Sequence, residues 1–418
     1  MIVVEFFLAV FLMLLVARAF GEGLHRVKQP ALVGELLAGV LIGPSILNVV
    51  QPNADLALVA NIALFFIMFL TGLRLHPKDI LEAGRRAMVV SILAFAIPFA
   101  AGAWVSSLFG LGLIPSLVVG LTLAITAVPV NSIILMEFGM LKTKLGATVI
   151  TAGVINDILS LVVLGVILQL PADGVSGISY LAVGSSVAKV AVFVGGILFV
   201  DRLLRMHPRW AKTQLARLGL ALATKESSFG VMLTFSIGVS LLAEWAGLHF
   251  IVGTFFAGLL LNELMGDDLL GRDTNVLSGI TFGFFAPLLF AFIGIEFEAE
   301  ALTNVLVLAG VLLGVAVAGK VAGGYAGARL AGFTRPESGL IASLLNSRGM
   351  VELVIATIAY QSGLIDLALF SVVVGIGVMT TIMSPITSRF LLGRQSMRRP
   401  TQESAVEKGE RAVTPRAA

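Results

Sequence analysis

The chain has 418 residues, 58% of them hydrophobic and only 13% charged, with a mean hydropathy of +1.01 and a net charge of +3. Soluble domains carry roughly 25% charged residues, so this chain lacks the polar surface to cover a globule in water, and lipid must be its solvent. The absence of cysteine excludes disulfides, thiolate metal sites and cysteine nucleophiles together, and so small a net charge gives no footing for nucleic acid.

A membrane span takes about 20 apolar residues. Runs of that kind, divided by short polar loops, predict thirteen spans: 2–20, 31–50, 56–74, 87–109, 114–137, 146–170, 177–201, 226–245, 248–262, 276–295, 302–328, 337–360 and 364–392. The first run lacks a basic leader and a small-residue cleavage site, so it reads as a span and not as a signal peptide. Loops after odd spans hold the basic residues: His25, Arg26 and Lys28, then Arg74 to Arg86, Lys142 and Lys144, and the group from Arg202 to Lys225. Loops after even spans, such as Gln51 to Asp55 and Glu296 to Glu300, hold none. Basic loops stay inside, which predicts an inner-membrane protein with its N-terminus outside and its C-terminus in the cytoplasm. The loop from Asn262 to Asp273 is acidic although it falls on the predicted inside.

Thirteen spans divide as six, one linker and six, the two sixes starting from opposite faces. That is an inverted-topology repeat. The expected fold is therefore an all-α polytopic membrane protein, with a transmembrane domain over 1–393 and a polar cytoplasmic tail over 394–418.

A charge near the bilayer centre costs about 2.5–3.5 kcal/mol on insertion scales and marks a functional candidate. Asp157 lies in the middle of TVITAGVINDILSLVVLGVI, residues 148–167. A carboxylate taken out of water needs a neutralising partner, and a proton or a hard monovalent cation serves equally. Proton and cation would then compete for one group. Asn156 stands beside it, about 100° away around the helix, and either ligates through its amide oxygen or holds a neighbouring helix. Lys320 lies mid-span in residues 311–333, with Asp157 or the carbonyl end of a helix as its partner. Glu35 sits early in the second span and reads as a solvated funnel residue or a ligand. Arg348 and Glu352 are four apart, which suits a pair on one helix face or the neutralisation of broken helix ends.

Two spans carry interruptions. The fifth contains LAITAVPVNSI, residues 123–133, where Pro129 removes a helical hydrogen bond. The twelfth contains LLNSRGMVEL, residues 344–353, polar at similar depth. They occupy equivalent places in the two halves, which is the sequence mark of a transporter site. Free carbonyls there bind cations, and Thr126 offers a hydroxyl or carbonyl beside Asp157. A plain proline kink is the alternative.

At these residues the chain resembles the monovalent cation:proton antiporter-2 family within the sodium/proton exchanger fold, over residues 1 to about 393. The motifs that carry the likeness are QPALVGELLAGVLIGPS, the stretch from ITAVPVNSI through GVINDILSLVVL, GLHFIVGTFFAGLLL and FFAPLLFAFIGIEF. The resemblance implies two discontinuous crossing helices, a mobile core domain formed by spans five, six and eleven to thirteen, and a dimerisation domain that includes span two. It implies that Asp157 is the ion- and proton-binding carboxylate, that Thr126 belongs to the crossover beside it, and that Lys320 faces it. It implies a homodimer working by an elevator-like movement. The chain departs from the family in pairing Asn156 with Asp157 where electrogenic members have two aspartates. It has Lys320 where electroneutral relatives have arginine, and Arg74 where a glutamate is common.

The expected function is secondary active exchange of protons for sodium or potassium, without a cofactor. The pattern of Asn156, Asp157 and Lys320 leaves electroneutral and electrogenic cycles both open. A sodium-coupled organic-anion symporter of the same fold and an ion channel are the alternatives. The first is opposed by the lack of a basic pocket, the second by the lack of a repeated selectivity element. An aspartyl membrane protease needs two catalytic aspartates on separate spans, and only Asp157 is mid-span.

Overall fold

A computed structural model of the chain describes residues 3–74, 84–141, 143–170, 180–206, 225–246 and 248–397, and every regular element in them is helical. In chain order the helices are α1 (Val3–Arg26), α2 (Ala31–Ile42), α3 (Ala54–Leu73), α4 (Gly84–Leu108), α5 (Leu113–Ala124), α6 (Val128–Glu137), α7 (Lys144–Ile167) and α8 (Tyr180–Met206). They continue with α9 (Lys225–Trp245), α10 (Phe250–Ile280), a π-helical turn (Thr281–Phe285), α11 (Ala286–Glu296), α12 (Ala299–Asn304), α13 (Leu306–Leu330), α14 (Arg335–Leu345), α15 (Met350–Gln361) and α16 (Leu367–Met397). Among the described residues eight helical stretches are long and apolar enough to cross a membrane, or nine if α14 and α15, bent by 42° at their break, count as one. The tail beyond Met397 lies outside the described residues.

Two boundaries differ from expectation. The second span was expected to run to residue 50, but α2 stops at Ile42. Gly43 precedes Pro44, whose ring drives the preceding residue out of the helical region, and the chain turns there. A loop was expected over Asn262 to Asp273, but α10 continues helically through it to Ile280. The apolar pattern fades there although the helix does not end.

The π turn has a local cause. Pro287 has no N–H, so neither Gly283 in α register nor Phe282 in π register receives a backbone donor from it. Arg18 of α1 supplies both, donating to the Phe282 and Gly283 carbonyls at 2.6 Å each.

The helices pack as two groups. In the first, α2 lies against α1 and α11, and α3 against α10 and α11, with α9 along α10. A Cβ on Gly39 would fall 2.0 Å from the Ala291 carbonyl oxygen, so α2 and α11 cross backbone on backbone. In the second group α4 packs along α5, α7 and α13, α13 along α14, and α16 against α14 and α15. Helix α8 touches α7 of one group and α10 of the other. Asp157, Lys320 and both broken helices belong to the second group.

Candidate ion site at the crossing of two broken helices

Helix α5 ends at Ala124, residues 125–127 are extended, and α6 restarts with Pro129 in its first turn, where a missing N–H costs nothing. Helix α14 ends at Leu345 and α15 restarts at Met350. The two breaks cross and satisfy each other. Ala127 donates its N–H to the Ser347 carbonyl at 2.8 Å, and the Ser347 hydroxyl donates to the Ala127 carbonyl at 3.2 Å and to Asn131 Oδ1 at 2.8 Å. Thr126 Oγ1 donates to the Leu345 carbonyl at 3.2 Å. Gly349 allows the approach: a Cβ there would stand 2.8 Å from that of Ala127.

A helix end leaves carbonyls without partners. For α5 these include Leu123 and Ala124, while Thr122 accepts the Ile125 N–H at 3.5 Å, and two buried cations reach all three. Arg348 donates through Nη1 to the Thr122 carbonyl at 2.5 Å and through Nη2 to that of Leu123 at 2.8 Å. Lys320 Nζ donates to the Ala124 carbonyl and, at 3.0 Å, to that of Ala94. Ala94 is free to accept because Pro98, four residues on in α4, has no N–H for it. Arg348 also donates to Glu352 Oε1 at 3.2 Å, both side chains fully buried. Of the two partners considered for Lys320, the helix end receives one of its two hydrogen bonds, and Asp157 attracts it only at longer range. Arg348 and Glu352 form an ion pair, and Arg348 also caps the broken helix α5.

Asn156 is engaged on both sides of its amide. Ser91 of α4 donates to its Oδ1 at 2.6 Å, and its Nδ2 donates to Thr126 Oγ1 at 3.2 Å. The amide oxygen accepts one hydrogen bond and keeps its second lone pair, and Asn156 links α4, α7 and the crossover. The Thr126 hydroxyl accepts from Asn156 while donating to Leu345, which leaves one lone pair free.

Asp157 is 4% exposed, and its Oδ1 is buried without a hydrogen-bond partner. It lines a cavity of about 800 Å³ whose wall also includes Thr126, Pro129, Ser132, Thr151 and Gly349. The cavity runs between the two helix groups to the exposed Arg74 and Ile133. Arg74 is fixed by Ser278 Oγ at 2.6 Å, with its guanidinium 5.2 Å from the Phe282 ring centre. Glu35 is elsewhere. It is buried against α1 and lines a separate cavity of about 530 Å³ with Arg18, Glu22 and His25. The structure thus brings Asp157, Asn156, Thr126, Lys320, Arg348 and Glu352 together and leaves Glu35 out.

Ser91, Ser347 and Asn131 were not anticipated from sequence, since a hydroxyl or amide in a span reads as ordinary helix packing. Pro98 was the available signal on α4, because a mid-span proline always frees a carbonyl for some donor.

The family described as sodium/hydrogen exchanger, transmembrane, matches residues 9–394. The chain is 28% identical over 376 residues to a probable Na(+)/H(+) antiporter 3 of Methanocaldococcus jannaschii, covering 88% of this chain and 92% of that one. It is 25% identical over 391 residues to the Na(+)/H(+)-K(+) antiporter GerN of Bacillus cereus, covering 93% and 97%. Its fold is similar to that of the sodium proton antiporter MjNhaP1 from Methanocaldococcus jannaschii, with a TM-score of 0.71 at 16% identity, over 96% of this chain and all of the other. These relatives are antiporters, not enzymes.

Proposed function

The chain belongs to the sodium/hydrogen exchanger family, and from that premise we propose that it exchanges protons for sodium or potassium by alternating access, with Asp157 holding either ion in turn. The observation that carries this reading is the Asp157 carboxylate itself, buried, with Oδ1 unpartnered, in the wall of a cavity that reaches the protein surface. A buried polar atom without a partner asks for a reason, and an exchanged ion is one. Thr126 contributes its free lone pair to the cation. The carbonyl end of α14, met by hydroxyl and amide donors and by no cation, adds favourable partial charge.

The same geometry favours one-for-one exchange. Asp157 and Glu352 face Lys320 and Arg348, two charges of each sign. Lys320 is held by two carbonyls that remain whichever ion Asp157 carries, and we take it to keep its proton through the cycle. The proton-loaded and cation-loaded forms then carry equal charge. With basic loops inside, as the positive-inside rule expects, the cavity mouth opens to the cytoplasm. The helices before and after α8 form the inverted halves, the second helix group moves against the first, and two copies pair in the membrane.

The test is proton flux into sealed proteoliposomes, read by an internal pH dye, with sodium and then potassium supplied to wild type and Asp157→Asn. Wild type should move protons with at least one ion and the variant with neither. An active Asp157→Asn protein would remove Asp157 from the mechanism.

A further inference from the structure

Lys28 follows α1 in the left-handed region, at φ 59°. The Gln29 N–H returns to the Leu24 carbonyl and the Lys28 N–H to that of His25, both at 2.9 Å. This pairing usually ends a helix on glycine, which adopts such a φ without steric cost. A lysine there is the less favourable residue, and its side chain and carbonyl are both in use. Lys28 Nζ lies 3.3 Å from Glu137 Oε1. Arg389 donates through Nη1 to the Lys28 carbonyl at 3.2 Å. Through Nε and Nη2 it also holds Glu137 Oε2 at 3.2 and 3.1 Å.

The placement of this cluster gives it meaning. Lys28 lies between α1 and α2 of the first helix group, whereas Glu137 ends α6 and Arg389 lies in α16, both of the second. The cluster crosses the seam between the groups, on the face where the Asp157 cavity reaches Arg74 and Ile133. We propose that Lys28, Glu137 and Arg389 form an ionic latch that holds the two helix groups with the Asp157 cavity open to this face, and that the latch breaks in every transport cycle. The proposal rests on the alternating-access reading above. Movement of one group past the other must change the distances between Lys28 and its two partners, while leaving pairs within a group, such as Glu22 with Arg26 on α1, as they are. The latch is also suitably weak. Lys28 is 70% exposed and Glu137 31%, so water screens the pair, and its loss shifts the balance of states by about two- to fivefold.

The chain has no cysteine, so thiols can be placed without further change. Lys28→Cys with Glu137→Cys, in the full chain in proteoliposomes, is treated with a reducible bifunctional thiol reagent as long as the ion pair it replaces. Exchange should fall by about tenfold or more on cross-linking and return on reduction. A Glu22→Cys, Arg26→Cys pair treated in the same way should lose nothing. A cross-linked 28–137 protein that exchanges at its unlinked rate, or a pair that does not cross-link, overturns the latch. A second reading needs no transport. Ser132→Cys lines the cavity, and its labelling by an impermeant thiol reagent from the open face should slow about two- to fivefold when Lys28→Gln is added. Unchanged labelling overturns the latch even if wild type exchanges. A wild type that exchanges neither ion sinks the antiport reading, with the labelling comparison still decisive for the latch.

Discussion

Lys320 and Arg348 are fully buried in a chain that lipid surrounds, and what stabilises them is mostly backbone. Their five hydrogen bonds among the described residues go to four carbonyls and one carboxylate. The carbonyls come from the end of α5 and from the proline-freed position in α4, so each cation neutralises a dipole that would otherwise be orphaned in a dry interior. Asn156 follows the same logic with neutral groups. Ser91 fixes which way its amide faces, and only in that orientation does Nδ2 reach Thr126. A neutral hydrogen bond contributes about 0.5–1.5 kcal/mol. Ser91→Ala should therefore raise the KM for the transported cation by about two- to tenfold through Thr126, with little change in kcat or thermal stability, and Ser91→Thr should restore it. The check is cation-dependent proton flux across a concentration series, beside a melting curve. Equal loss of kcat and stability would mean that Ser91 only packs.

The two broken helices owe their shape to local sequence and their position to each other. Pro129 and the polar run from Asn346 to Gly349 interrupt their spans, but the crossing is fixed by backbone bonds between the breaks. Gly349 has φ −173°, extended backbone open to any residue, so its requirement is space and not conformation. Gly349→Ala brings two methyl groups to 2.8 Å and should cost about 1–3 kcal/mol, the usual penalty of overpacking. Ala127→Gly removes the other methyl and should recover most of that loss. A double-mutant cycle by thermal unfolding in detergent measures the coupling. Additive losses would show that Gly349 matters for some reason other than its contact with Ala127.

At the scale of the whole molecule the question is whether a cycle moves net charge, because two acids, Asp157 and Glu352, face two bases, Lys320 and Arg348, at the crossing of the broken helices. If Lys320 keeps its proton, sodium or potassium jumps on a solid-supported membrane should give no steady current while proton flux proceeds. A net charge per cycle would instead couple transport to about 2.3 kcal/mol per 100 mV and appear as current. Sustained current would return Lys320 to the role of a second proton carrier.

The membrane class, the helical fold and the choice of Asp157, Asn156 and Thr126 as neighbours were legible in the sequence, because hydropathy and the insertion cost of a charge act along the chain. An aspartate in the middle of an apolar run stands out whatever surrounds it. The interruptions were legible for the same reason, since proline and polar runs break a helix locally. What sequence left open was decided between helices. Lys320 had two possible partners, and the approach of α5 to α13 chose the carbonyl end. Asn156 had two possible roles, and a serine on α4, 65 positions away, supplies the contact that the structural one needs. Glu35 looked like a residue of the ion path until the packing of α2 on α1 placed it in another cavity. A sequence fixes what a side chain must not leave unsatisfied, but which donor or acceptor arrives is a matter of distance across the fold, and only the tertiary structure sets those distances.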